Sequence, residues 1–461
     1  MSILFLFRRD LRTYDNLAFH NAVLLSHKLK FPIIPIFIFN HIQLFSQFSS
    51  HNSIQFMLES LNDLNSSLNK KLTCFYKKNM KNDLDILNNL NISHIFFNSD
   101  LTPFAKQRDN IILEWANIQK IEVHTYEDYS LHPANTVLSS SNKFYEVFTF
   151  FKNKALNFPV DKPRKLSHSP LLYKYNDNNN HIVSLEKAFK LFLPNGINTN
   201  IKVHGGSTNA YKILNNINLH NYSNTRNILS INTSLLSAYI KYGNISIREV
   251  YFAFKDVSHD LLIQLFWREF YYILMDKLPF DRTIGKSNYK QISIKWPHLK
   301  TSHWNAWCNG NTGFPLVDAG MRQLNYCGWM HNRARMICAN FLVFILHINW
   351  KKGEQYFASK LVDYDISQNN GNWQWNSGVG VDKSGYLRIF NPFSQSSKFD
   401  KNCSYIFTWI PELSSVPIKD IHSWETSYSN HTNINYPPPI VDFSVQRNNA
   451  KTLFKNKKSL K

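Results

Sequence analysis

The sequence predicts two unlike halves: an α/β N-terminal domain built on a parallel sheet, followed by an all-α domain. Three observations carry that expectation. Short apolar runs alternate with helical stretches over residues 1–130, the apolar spacing turns helical throughout 204–461, and a breaker-rich connector, 131–203, lies between them. The apolar runs are 3–7, 33–39, 72–76, 95–97 and 121–125. Bounded by polar clusters, they read as buried strands, and the stretches 52–68 and 105–116 read as helices covering them. Neither GxGxxG nor GxxxxGK[ST] occurs, so this half lacks both common phosphate-cradling loops. In the connector, Ser139-Ser140-Ser141, Pro159, Pro163 and the polar run 177–180 break any periodicity. Helices are expected over 261–276, 318–327, 330–348 and 353–362, and a disordered basic tail from about 451.

The composition bounds the function. At 43% hydrophobic residues the 461-residue chain can bury a large core, and 14 Gly with 17 Pro exclude collagen-like and turn-built architectures. The net charge of +20 leaves two readings open, a polyanionic partner or a lysine-rich solvated surface. Five cysteines (Cys74, Cys308, Cys327, Cys338, Cys403) form no CxxC pair, so neither a disulfide framework nor a zinc site is indicated, no metal is expected, and a reducing cytoplasm is expected. The opening apolar run is too short for a signal peptide. No window approaches the roughly 18 apolar residues of a membrane span. No heptad seam suggests an oligomer, so a monomer is expected.

The chemistry-bearing residues gather in the second half. Trp267-Arg268-Glu269 sits inside an apolar helical stretch. Asn332, Arg335 and Met336 lie three and four apart and share a helix face. Asp363, Tyr364 and Asp365 precede Asn369, Trp373 and Trp375. A buried guanidinium requires a carboxylate or an anionic ligand, and Asp363 and Asp365 are the nearest candidates for Arg335. Taken singly, each feature also fits structure alone: lone tryptophans pack cores, and Thr233-Ser234-Leu235-Leu236-Ser237 reads as a helix cap.

Taken together and in order, FLFRRDLRTYDNLA, KFYEVFTFFKN, TSLLS, FWREFYY, GFPLVDAGMRQL, GWMHNRARM, NNGNWQW and RIFNP resemble the photolyase/cryptochrome family. The nearest likeness is to bacterial class I photolyases acting on cyclobutane pyrimidine dimers, and it runs along nearly the whole chain. The resemblance implies a Rossmann-like sheet domain of photolyase type and a helical domain holding FAD, active as FADH⁻. It places Tyr222 and Thr233, Ser234, Leu235, Leu236 and Ser237 at the diphosphate, and Arg335, Asp363, Tyr364 and Asp365 beside the rest of the flavin. Asn369 matches the residue facing flavin N5. Trp373, Trp350 and Trp296 match the family's electron-transfer tryptophans, Trp296 with one extra residue in its spacing to Trp307. For UV-damaged DNA the matching positions are Arg226, Gln264, Trp267, Arg268, Asn332, Arg333, Met336, Trp375 and Gln395, with Trp267 and Trp375 as walls for a flipped-out dimer.

Two departures stand out. Gln264 occupies a position usually held by Glu, so the amide cannot supply a carboxyl proton, and a reduced repair yield is expected. Phe104-Ala105 and Arg282-Thr283 stand where folate-binding relatives carry Asn-Glu and Cys-Lys, which argues against a methenyltetrahydrofolate antenna. The alternatives are a cryptochrome-like flavin photoreceptor without repair, (6-4) photoproduct repair, and a decayed member that only binds nucleic acid. Asn332-Arg333 stand where the (6-4) branch places paired histidines.

Overall fold

The computed structural model describes residues 1–461 apart from 77–83, 85–86, 88–89, 177–180, 218–220, 382–386, 456 and 460–461. The polar run 177–180 therefore lies outside the described residues. Five strands, β1 (Ser2–Phe7), β2 (Ile33–Phe39), β3 (Thr73–Tyr76), β4 (Ile92–Ser99) and β5 (Glu122–Glu127), form a parallel sheet in the order β3-β2-β1-β4-β5. Successive residues of β1 feed opposite faces. Ile3, Phe5 and Phe7 join one core, while Leu4 and Leu6 join the other. Both faces are covered, which is why these strands read as unbroken apolar runs. Helices α1 (Leu17–Leu29) and α2 (His51–Ser67) pack on the first face, and α3 (Pro103–Ile118) brings Ile112 and Trp115 to the second.

This order puts the switch point of the sheet between β1 and β4, where doubly wound folds commonly bind ligands. Here that crevice holds ion pairs. Arg9, just beyond β1, reaches Asp100 at 3.4 Å and Asp365 of the helical half at 3.2 Å. Burial opposes its charge, but Asp100 and Asp365 hold the guanidinium firmly protonated. Next to it Arg248 bridges Asp15 at 2.8 Å and Asp128 at 2.6 Å, and Arg12 pairs with Asp128. These buried charges are ion-paired, and they bridge the halves alongside the shared apolar core that runs from Phe5 to Tyr271.

The segment between the halves carries two short helices, Phe148–Ala155 and Leu185–Phe192. Its backbone is pinned to the sheet: Tyr173 N donates to Ile33 O and Val183 N to Cys74 O, both at 2.9 Å. The helical half includes α4 (Ser237–Tyr242), α5 (His259–Lys277), α6 (Pro315–Cys327), α7 (Asn332–Phe344), α8 (Trp350–Ala358), α9 (Ile366–Asn376) and α10 (Phe443–Lys455). The 330–348 pattern yields a shorter helix because His331 caps it, its Nδ1 accepting from Arg333 N at 3.1 Å.

The basic tail needs correction. Residues 451–455 are not disordered; they complete α10, because Ala450 and Phe454 are buried against the helical core beside Phe344. Lysine-rich composition hid a two-residue apolar anchor. Beyond it, Lys458–Ser459 pairs antiparallel with Ile292–Ser293. The five cysteines are buried free thiols. No helix among the described residues is long and apolar enough to cross a membrane.

Candidate active site

Two helices turn polar stripes toward one another. On α7 the stripe is Asn332, Arg335, Met336 and Ala339; on α9 it is Asn369, Asn372, Trp373 and Asn376. Both follow the i, i+3, i+4, i+7 spacing of a single helix face. Between them, with Phe357, Leu361 and the loop Asp363, Tyr364 and Asp365, lies a cleft open to solvent.

The loop and α9 are held from outside the cavity. Asp365 caps α9, accepting from Ser367 N at 3.0 Å and Gln368 N at 3.3 Å. Arg335 Nη2 donates to Asp363 Oδ2 at 2.9 Å, and Ser237 Oγ donates to the same oxygen at 2.7 Å. On the far side of α9, Asn370 donates to Glu354 Oε1 at 3.0 Å, and Gln374 accepts from Tyr289 N at 2.7 Å. Gly371 lies flat on α5, since a Cβ there would fall 2.2 Å from Tyr271. Asn369 Nδ2 donates to Glu354 O at 3.2 Å, which leaves its oxygen as the free acceptor. Burial pushes the Glu354 carboxyl up to about 7, against the Asn370 hydrogen bond and Lys351.

Of the other sequence-derived residues, Asn332 and Met336 line the cavity, and the rest are held by contacts of their own. Trp267 stacks flat on Phe148, ring centroids 3.5 Å apart. Arg268 donates to Tyr129 O at 2.5 Å, and its own carbonyl accepts from Gln368, tying α5 to α9. Gln264 Nε2 donates to Asp260 O at 3.1 Å. Arg226 lies 3.8 Å from Asp260 and 5.8 Å over the Tyr222 ring. Arg333 is braced by Asn227 at 2.6 Å, Asn332 lies 3.8 Å from Met336 Sδ, and Arg388 covers Trp375 at 5.5 Å. Gln395, on helix Pro392–Phe399, keeps a buried Oε1 without a partner among the described residues.

Of the three electron-transfer candidates, Trp373 lines the cavity. Trp350 and Gly353 lie three apart on α8, and a Cβ on Gly353 would sit 2.2 Å from Trp373 Cη2, so this face of α8 abuts the Trp373 ring. Trp296 is half-buried against Phe454 of α10, 6.0 Å away edge-on. Sequence reading missed a second aromatic line: Trp373 meets Trp307 at 6.4 Å, and Trp307 stacks on half-buried Trp304 at 5.6 Å. The pair in HWNAWC, three apart, was the available signal. It also missed Gln368, Asn372 and Asn376, which helical spacing from Asn369 would have reached.

The cavity's polar atoms fit a flavin nucleotide. Asp363 Oδ1, Tyr364 Oη and Asn376 Oδ1 are buried with no hydrogen-bond partner among the described residues. Such atoms are costly unless a ligand satisfies them. Leu235 has φ +54 and Leu236 follows in the right-handed helical region, the backbone alternation that turns successive N–H groups toward an anion.

Residues 3–167 match the family model for DNA photolyase, and residues 261–456 match that for the FAD binding domain of DNA photolyase. The chain belongs to the DNA photolyase family, and it is a flavin-binding DNA-repair enzyme. It is 34% identical to the deoxyribodipyrimidine photo-lyase of Buchnera aphidicola subsp. Acyrthosiphon pisum (strain APS), over 97% of this chain and 96% of that one. Among solved structures it is similar to an archaeal photolyase from Sulfolobus tokodaii, described with two FAD molecules. The TM-score is 0.84 at 32% identity, covering 99% of this chain and 100% of that one. A Synechocystis cryptochrome superposes with a TM-score of 0.85 at 24% identity, covering 98% and 99%, a likeness of fold alone.

Proposed function

We propose that this chain splits cyclobutane pyrimidine dimers in UV-damaged DNA back to two pyrimidines, acting as a carbon–carbon lyase under blue or near-UV light. The observation that carries the reading is the cavity's mixed wall: unsatisfied polar atoms on the α9 side, with Asn332 and Met336 on the α7 side of the same space. The bound flavin, as FADH⁻, supplies light absorption and a one-electron exchange with the dimer that leaves no net redox change.

The protein's part is binding, orientation and exclusion of water. The Leu235–Leu236 backbone and Tyr222 would hold the diphosphate, and Asp363, anchored by Arg335 and Ser237, the sugar-like chain. Asn369 would accept from N5–H through its free oxygen, because its nitrogen is already committed to Glu354. Trp267, held flat against Phe148, and Trp375 would wall a stacked pyrimidine pair. A dimer is poorly stacked in the duplex, which lowers the cost of drawing it out. Arg226, Arg333, Arg268 and Gln395 would serve the DNA side, supported by the net charge of +20, and binding would fall with salt because cationic side chains release the counterions condensed on the phosphates. Ala105 is buried and offers no side-chain polar atom, which supports a chain working without a folate antenna. Buried free thiols suit a reducing cytoplasm.

The test is light-dependent reversal of thymine dimers in a defined oligonucleotide, with a dark control and a (6-4) substrate. The expected result is reversal of the dimer in light only. Flavin photochemistry with no reversal of either lesion would overturn the reading in favour of a cryptochrome-like photoreceptor.

A further inference from the structure

Three side chains at the edge of the sheet are arranged as metal ligands. β4 and β5 pair with His94 opposite Glu122 and Phe96 opposite His124. Residues two apart on a strand share a face, so His94, Glu122 and His124 converge on one side of the sheet. His94 Nδ1 lies 3.2 Å from His124 Nε2 and 3.4 Å from Glu122 Oε2, and His124 Nε2 lies 3.3 Å from Glu122 Oε1. A tetrahedral ion bound at about 2.0–2.1 Å requires ligand atoms about 3.3 Å apart. The two ring nitrogens meet that requirement with each other, and each meets it with a different oxygen of Glu122, so a single-oxygen ligand there needs the exposed carboxylate to turn.

We propose that His94, Glu122 and His124 bind one borderline divalent cation, with Zn²⁺ as the natural occupant and water at the fourth position. Two imidazoles and a carboxylate select Zn²⁺ or Cu²⁺ over Mg²⁺, which prefers an octahedron of oxygens. Phe96 stacks on the His124 ring at 4.2 Å and fixes its plane. Glu122 is 64% exposed on its side chain, leaving the fourth position open to solvent. The site lies toward the amino ends of β4 and β5. From His94 to Ser99 the strand rises roughly 16 Å, so the cluster is remote from the switch-point crevice. An ion there would clip the edge strand β5 to β4.

The experiment titrates tag-free, chelator-stripped, flavin-loaded full chain with Zn²⁺ against a chromophoric zinc chelator. The wild type is expected to take up one zinc per chain. His94→Ala and His124→Ala each weaken uptake by about 100-fold or more, since even a partner behind a ligand is worth 10–100-fold. Flavin absorbance and photorepair stay unchanged in both, which separates this site from the active site. Equal uptake by wild type and both variants, or no uptake by the wild type, overturns the proposal. If a variant fails to fold, Cu²⁺ electron paramagnetic resonance of the wild type decides: two equatorial imidazole nitrogens support the site, and their absence overturns it.

Discussion

The switch-point crevice of the sheet and the cavity between α7 and α9 are both places where ligands commonly bind, yet they are built in opposite ways. In the crevice the buried charges meet partners within the chain: Arg9 meets Asp100 and Asp365, and Arg248 meets Asp15 and Asp128. In the cavity, Asp363 Oδ1, Tyr364 Oη and Asn376 Oδ1 meet nothing among the described residues. Arg9 Nε and Nη2 are ion-paired without hydrogen-bond geometry, so the crevice is a joint held by charge, whereas the cavity's carboxylate, phenol and amide oxygens are left for a ligand. The two are connected, because Asp365 reaches back to Arg9 while capping the helix that lines the cavity.

Breaking the joint is expected to have the largest effect. Arg9→Gln strands Asp100 and Asp365 and destabilises the fold by about 3–5 kcal/mol, measured by chemical denaturation. An unchanged midpoint would show that the crevice carries no such load. Next, Asp363→Ala removes the acceptor of both Arg335 and Ser237; flavin affinity falls by about 2–3 kcal/mol, read from flavin retained through purification. A smaller effect separates the two regions by pH. Glu354 is protonated in the fold up to about 7, whereas the unfolded chain releases that proton near 4.5. The folded state therefore binds the extra proton between those values, and this group's contribution to stability falls as pH rises through that window. Glu354→Gln should flatten the pH dependence of the thermal midpoint in that window. The smallest effect is at the lesion: Gln264→Glu should raise the repair yield per absorbed photon by about twofold, under 1 kcal/mol. An equal yield would show that the amide already does the carboxyl's work.

The fold was largely legible because burial on two faces writes itself into sequence as unbroken apolar runs, as in β1 and β2. The α7 stripe was legible too, since Asn332, Arg335 and Met336 are spaced by helix geometry alone. Long-range pairings were not. Nothing local to Arg9 announces Asp365, which lies far along the chain, and nothing local to Ser237 announces Asp363. Phe454 sits among lysines, and its burial depends on Phe344 and Trp296, so composition pointed the wrong way for α10. His94 and His124 likewise acquire their relationship only through strand register.

Gly353 carries a consequence of its own. Any carbon added there would overlap Trp373 at 2.2 Å and Leu342 at 2.5 Å. The gap between two neighbouring rods is thus set by a hydrogen atom, and one added methyl would have to push the indole and the leucine away or part the rods.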